Sequence, residues 1–271
     1  MEGLRHIRLW DAPFGPAAGN VAIRGLVGSD LLLIQEGQGP PAVLSLHLAK
    51  EVVAELDGAD TVADIAFGDL QRILTAAYAQ TFGARPELVA NCPDCGVRCE
   101  LRPDLNAILD TAPTAASASV TIPDGAGTWS AHLRAPRASD MAECACVADG
   151  ETAAAFLLDR IVSQISGPDG SVAEASELPE PVRVMLDTAL AEANAGGQIL
   201  INAICPDCAR SLCCHLDPLA LLRRQAEFSG DILVDVARLA AAFGWSAPQI
   251  LALPHRHRRR LLKIATAGDA A

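Results

Sequence analysis

The chain has 271 residues, is 51% hydrophobic and 20% charged, and carries a formal charge of −12. That is a globular balance with ample core material; so acidic a surface repels nucleic acid and anionic membrane, and no run approaches the ~18 apolar residues of a membrane span. The N-terminus "MEGLRHIRLWDAPFG" lacks the apolar stretch of a signal peptide, so the chain is expected to stay in the cytoplasm, where cysteines remain reduced and form no disulfide framework.

Residues 1–60 are expected to be strand-rich, because "NVAIRGLVGSDLLLIQEGQGPPAVLSLHL" has short apolar runs broken by Gly and Pro, with a helix expected only over "AKEVVAEL" at 49–56. Residues 61–110 then carry a helix and a first cysteine knuckle. Leu70, Ile73, Leu74, Ala77 and Tyr78 keep helical spacing, and Gly83 stops the helix. "ELVANCPDCGVRCELRPDL" follows as strand, knuckle, strand. Residues 111–195 begin with the small-residue linker "TAPTAASAS" and continue as a hairpin around Asp124-Gly125, then helices at about 139–148, 152–165 and 178–194. The last of these has Ser176 and nearby prolines as its start signal.

Residues 196–271 repeat strand, knuckle, strand in "GQILINAICPDCARSLCCHLDPL" and end in helices. Ile232, Val236, Leu239, Ala240 and Phe243 form one apolar stripe that Gly244 closes. Ser246 and Gln249 then make a capping box, with Trp245 and Ile250 at the two hydrophobic-staple positions.

The tetrapeptide "CPDC" occurs twice, at Cys92–Cys95 and Cys205–Cys208, and a gapless alignment of the two also pairs Asp104 with Asp217. Each CxxC turn can donate two thiolates. Two facing turns complete a tetrahedral four-thiolate site with Zn–S of about 2.3 Å, closed to water and therefore structural. Cys92, Cys95, Cys205 and Cys208 are thus the candidate ligands of one structural Zn2+ per chain. With a disulfide as the guide, clipping a loop of ~100 residues contributes on the order of 4–5 kcal/mol. The segment between the knuckles then reads as an insertion. Ala209 stands where Gly96 permits a left-handed turn in the first knuckle, which predicts a more strained or looser second turn.

Thioredoxin-like redox chemistry would need a CxxC that opens a helix, whereas strands follow here; unmetallated core cysteines are the other alternative. Cys99, Cys213 and Cys214 are expected to pack in the strands. Cys144 and Cys146 have a CxC spacing with no His or third Cys nearby. No phosphate-binding loop, nucleophile elbow or HExxH motif appears, which predicts a non-enzyme without a small-molecule substrate. The one basic run, "HRHRRR" at 255–260, is expected to be a solvated helix face, with a docking patch for an acidic partner as the alternative.

The order "FGARPELVANCPDCGVRCEL…DL", "LPEPVRVMLDTALAEANAGGQILINAICPDC" and "VARLAAAFGWSAPQILALPHRHRRRLL" resembles the T4-type phage baseplate hub assembly chaperones, over about 65–265. The resemblance implies a non-enzymatic assembly factor or minor baseplate component of a contractile tail-like particle. Its expected partners are baseplate, hub or tape-measure proteins. The expected fold class is α+β: a split zinc-ribbon-like core of four cysteines made from two CPxC knuckles, with an inserted hairpin-plus-helices segment and a helical C-terminus. A zinc-ribbon regulator binding nucleic acid is the competing class; it would need a basic face, and only 255–263 offers one.

Overall fold

The computed structural model describes residues 3–10, 19–112, 119–124, 127–173, 178–186, 188 and 198–268. It is a mixed α+β protein. The linker at 113–118, the turn at Gly125, Ser176 and much of the expected 178–194 helix lie outside the described residues.

The chain opens with β1 (Arg5–Leu9) antiparallel to β2 (Gly19–Ile23), followed by α1 (Gly28–Glu36), α2 (Pro41–Val52) and β3 (Val53–Leu56), which returns antiparallel to β2. The sheet order is β1-β2-β3. The helix expected over 49–56 ends at Val52, its second half being β3, and the expectation of a strand-rich 1–60 is corrected by the two helices. Their glycines and prolines mark helix ends, not strand breaks: Gly28 opens α1, Gly37 caps it, and Pro41 sits in the first turn of α2, where proline's missing N–H costs nothing. Next come α3 (Phe67–Phe82), the hairpin of β4 (Leu88–Asn91) and β5 (Arg98–Leu101), and α4 (Leu105–Asp110).

The same order then recurs. β6 (Ser119–Asp124) and β7 (Gly127–Leu133) lead to α5 (Ala138–Cys144), α6 (Gly150–Ile161), β8 (Val162–Ser166) and the short β9 (Val172–Ala173). Helical residues 180–186 stand where α3 stood. The hairpin of β10 (Leu200–Ile204) and β11 (Ser211–His215) and then α7 (Pro218–Phe228) complete a second unit. The helix expected over 152–165 stops at Ile161, and its last residues become β8, just as α2 passes into β3 without a loop.

The correspondence reaches individual bonds. β2 slips register at Ala22/Ile23 and β7 at His132/Leu133. Arg24 N–H donates to Val52 O and Arg134 N–H to Ile161 O, both at 2.9 Å. Arg24 grips buried Asp30 through both terminal nitrogens at 2.6 and 3.1 Å; Arg134 grips Asp140 at the same two distances. Asp30 in turn accepts Val27 N–H, and Asp140 accepts Arg137 N–H. Burial alone would push the Asp140 carboxyl up, but the Arg134 and Arg137 bonds outweigh it and hold the group below the usual carboxylate range. The segment between the knuckles therefore repeats the architecture of the chain's first part.

The main core gathers β1–β3, α1–α3, both knuckle hairpins and α7; the second unit's sheet has a smaller core of its own, closed by Leu178, Val182 and Leu186.

Three helices end the chain: α8 (Ile232–Phe243), α9 (Ala247–Leu251) and α10 (His255–Gly268). Gly244 takes the left-handed conformation (φ 69°) at the C-cap of α8, and Ser246 N–H donates to Gln249 Oε1 at 2.9 Å at the start of α9. Ile250 is buried against Leu239 and Leu262, while Trp245 stacks on Phe243 and stays 37% exposed. The basic run is not a uniformly solvated face. Arg258 is 1% exposed and donates to Asp235 at 3.3 Å, and the His255 ring meets Phe82 edge-on. Burial, then the neighbouring arginines, lower His255 to about 4, so its imidazole is neutral.

Candidate metal centre

Each knuckle is the tip of a two-stranded hairpin. Cys92 N–H donates to Val97 O at 2.8 Å, and Gly96 N–H to Cys92 O at 2.9 Å; in the second knuckle, Cys205 N–H donates to Arg210 O at 2.8 Å and Ala209 N–H to Cys205 O at 3.0 Å. The two turns are the same, although one has glycine and the other alanine at the left-handed position. Gly96 has φ 73° and Ala209 φ 58°, and among the described residues Ala209 is the one non-glycine with positive φ. The second turn is thus not looser. Its geometry is kept at a backbone cost of about 1–2 kcal/mol.

Behind the tips the two hairpins are anchored alike. Asp104 caps α4 by accepting the N–H groups of Asn106 and Ala107, and Asp217 caps α7 by accepting those of Leu219 and Ala220. Leu101 and Leu105 below the first hairpin, and Ile201, Leu212 and Leu216 below the second, enter the main core. Across the tips Arg210 Nε meets Asp94 Oδ2 at 2.7 Å.

This support brings together the four cysteines expected from the sequence. The sulfurs of Cys92, Cys95, Cys205 and Cys208 all lie within 4.8 Å of one another. The short distances run crosswise between knuckles, Cys92 to Cys208 at 3.6 Å and Cys95 to Cys205 at 3.7 Å. A tetrahedron with Zn–S near 2.3 Å has sulfur–sulfur edges of about 3.8 Å, so the spacing is compatible with a metal ion. Disulfide sulfurs would approach to about 2.05 Å. Cys92 and Cys205 are buried, Cys95 and Cys208 exposed.

The electrostatics of the bare thiols point the same way. The backbone N–H groups of Cys208 and Asp207 lower Cys205 to about 6. At Cys95 the Val97 N–H pulls down, but lost hydration and the thiols of Cys208, Cys92 and Cys205 prevail and push it up to about 12. Four thiols this close cannot all ionise without a compensating cation. A bound metal cation would supply that compensation.

Cys99 is a fifth thiol beside this group. It is buried, its Sγ points at Val97 O at 3.6 Å, and burial followed by the Cys205 thiol raises its pKa. Cys214 is half-buried as expected of a strand residue, but Cys213 is exposed. Cys144 is half-buried with its thiol on Ala153 O, and Cys146 is exposed. Among the described residues neither joins a group of three or more metal-ligating side chains. No helix among the described residues is long and apolar enough to cross a membrane.

Sequence reasoning missed the paired corners at Arg24–Asp30 and Arg134–Asp140. The signal was there: "RGLVGSD" and "RAPRASD" share Arg, Ser and Asp at the same offsets. No protein-family model matches the chain, and neither the curated proteins nor the solved structures contain a match to it.

Proposed function

We propose that Cys92, Cys95, Cys205 and Cys208 hold one structural Zn2+ in a split zinc-ribbon-like core. We further propose that the protein is a non-enzymatic assembly factor or minor baseplate component of a contractile tail-like particle. It works in the cytoplasm by binding hub, baseplate or tape-measure proteins. The observation that carries the zinc reading is the crosswise 3.6 and 3.7 Å sulfur spacing between two turns of one geometry. When bound, the metal supplies positive charge at the centre of four thiolates. The chain's own part is to fill all four positions, which leaves no place for water or substrate and favours a structural over a catalytic role. The assembly reading is supported by the resemblance over about 65–265.

Elemental analysis of protein purified without chelator should give one zinc per chain, lost in Cys205→Ser; no zinc would overturn the metal reading. Deleting the gene should leave sheath and tube subunits soluble and yield few complete particles. Full particles in normal yield would end the assembly reading.

A further inference from the structure

Two corners of like construction each hold a short extended segment. In the second unit the corner between β7 and α5 receives residues 65–67. Phe67 N–H donates to Pro136 O at 2.8 Å, Ala138 N–H donates to Ile65 O at 2.9 Å, and Ala66 bridges Arg137. In the first unit the corner between β2 and α1 receives residues 253–255. His255 N–H donates to Leu26 O and Gly28 N–H to Leu253 O, both at 3.2 Å, and Pro254 bridges Val27. The acceptor positions correspond one to one, each beside its Arg–Asp pair. The inserted segments correspond as well, since each opens a helix, α3 in one case and α10 in the other.

The chain contains a third segment of this kind. Leu178-Pro179-Glu180 opens helical residues 180–186, the counterpart of α3. Its sequence follows the α10 segment closely: Leu178-Pro179, Arg183 and Leu186 match Leu253-Pro254, Arg258 and Leu261 at the same offsets. Pro179 is exposed, whereas Ala66 in the same role is 1% exposed beneath the second unit. Val184 and Met185 beside it are 53% and 43% exposed. Among the described residues no bridge engages Leu178–Glu180.

A repeated unit that docks on its neighbour leaves one unused donor at one end and one acceptor at the other. Such a contact is heterologous and open-ended, and arrays of this kind use terminal caps to remain soluble. We propose that the chain associates head to tail, with Leu178–Glu180 of one molecule entering the β2–α1 corner of a second copy, and that α8–α10 form the cap that holds this corner in the monomer. The cap is fastened where it begins, since Gln35 Nε2 donates to the carbonyls of Ala226 and Gly230 and its Oε1 accepts Ile232 N–H. Inside it, the Arg258–Asp235 pair joins α10 to α8. This inference rests on the corners alone and stands apart from the assembly reading.

Gly28 separates the cap from the donor. A Cβ at Gly28 would stand 2.9 Å from the Leu251 backbone of the cap. The matching position in the second unit is already alanine, Ala138, 0% exposed and bonded to Ile65. Gly28→Ala should therefore release the cap and leave the corner able to accept a donor. In the full-length variant, hydrogen exchange over residues 247–262 should rise several-fold. Its sedimentation mass should climb with concentration past that of a dimer, and a synthetic peptide of residues 253–266 should return it to monomer. Gly28→Trp, which fills the corner, should release the cap and stay monomeric. Circular dichroism on both variants checks that the units remain folded. The proposal is overturned if folded Gly28→Ala protein keeps its cap protected, if it releases the cap yet stays monomeric at every concentration, or if Gly28→Trp associates equally well.

Discussion

The first and second units share strands, bulge, Arg–Asp corner, knuckle turn and helix cap, yet they are buried very differently. In the first, α3 is covered on nearly every side: it packs against β1, β2, α2, α4, α5 and α7. In the second, the counterpart helical residues 180–186 bury Val182 and Leu186 but leave Val184 and Met185 exposed. One unit covers only one side of its own third helix. The remainder is covered by whatever docks on it, and for α3 that is the second unit together with the α7 end of the chain. Burial in this molecule is set by position in the array as well as by the unit's own sequence.

The largest test of this comparison is at the thiols. Cys92→Ser and Cys205→Ser remove equivalent thiols of the proposed metal site from the two units, and each should cost on the order of 4 kcal/mol by opening the long loop. Because both hairpins share the main core, the two losses should be equal in denaturant melts. A loss confined to one unit would show that the knuckles do not act as one clip.

The corners come next. Asp30→Asn and Asp140→Asn each leave a bonded guanidinium without its carboxylate, at a cost of about 2–3 kcal/mol near neutral pH. The Asp140 carboxyl is held low in the folded chain, so its stabilisation is complete above the unfolded value of about 3.9. It is lost as pH falls through the lower folded value. The thermal-stability gap between wild type and Asp140→Asn should thus close below about pH 4. A gap that persists at lower pH would refute this ion-pair account.

The smallest effect sharpens the knuckle comparison. Ala209→Gly should stabilise the chain by about 1 kcal/mol, and Gly96→Ala should destabilise it by a similar amount, because both positions are left-handed. Urea midpoints that move in the same direction for both variants would contradict the shared turn.

The four clustered cysteines were legible because CxxC spacing encodes its own geometry; Asp104 and Asp217 were legible only as an aligned pair, and their role as helix caps came from the structure. The α3 stripe was also legible, since Leu70, Ile73 and Leu74 repeat at helical spacing and are all 0% exposed. Helix α1 and all but the last turn of α2 were hidden because Gly and Pro punctuate strands and helix ends alike. The repeated unit was hidden because its fold is kept by backbone bonds and one ion pair, which demand few fixed residues. The burial of Arg258 was hidden because the partner that draws it inward, Asp235, is 23 positions away on another helix.

The shared core also has a consequence in time. Ile199, Cys205, Leu212, Leu222 and Ala226 belong to the same core as Ile7 and Val21. A ribosome must therefore deliver most of the chain before the first unit can close around its interior. Among the described residues, the small core under the second sheet draws on nothing beyond Leu186. Domains generally fold in order of synthesis, but this distribution of core residues predicts that the later-made sheet can finish first, while the N-terminal one completes its packing only when the last knuckle emerges; pulse-labelled hydrogen exchange during refolding that protects β1–β3 before β6–β8 would contradict it.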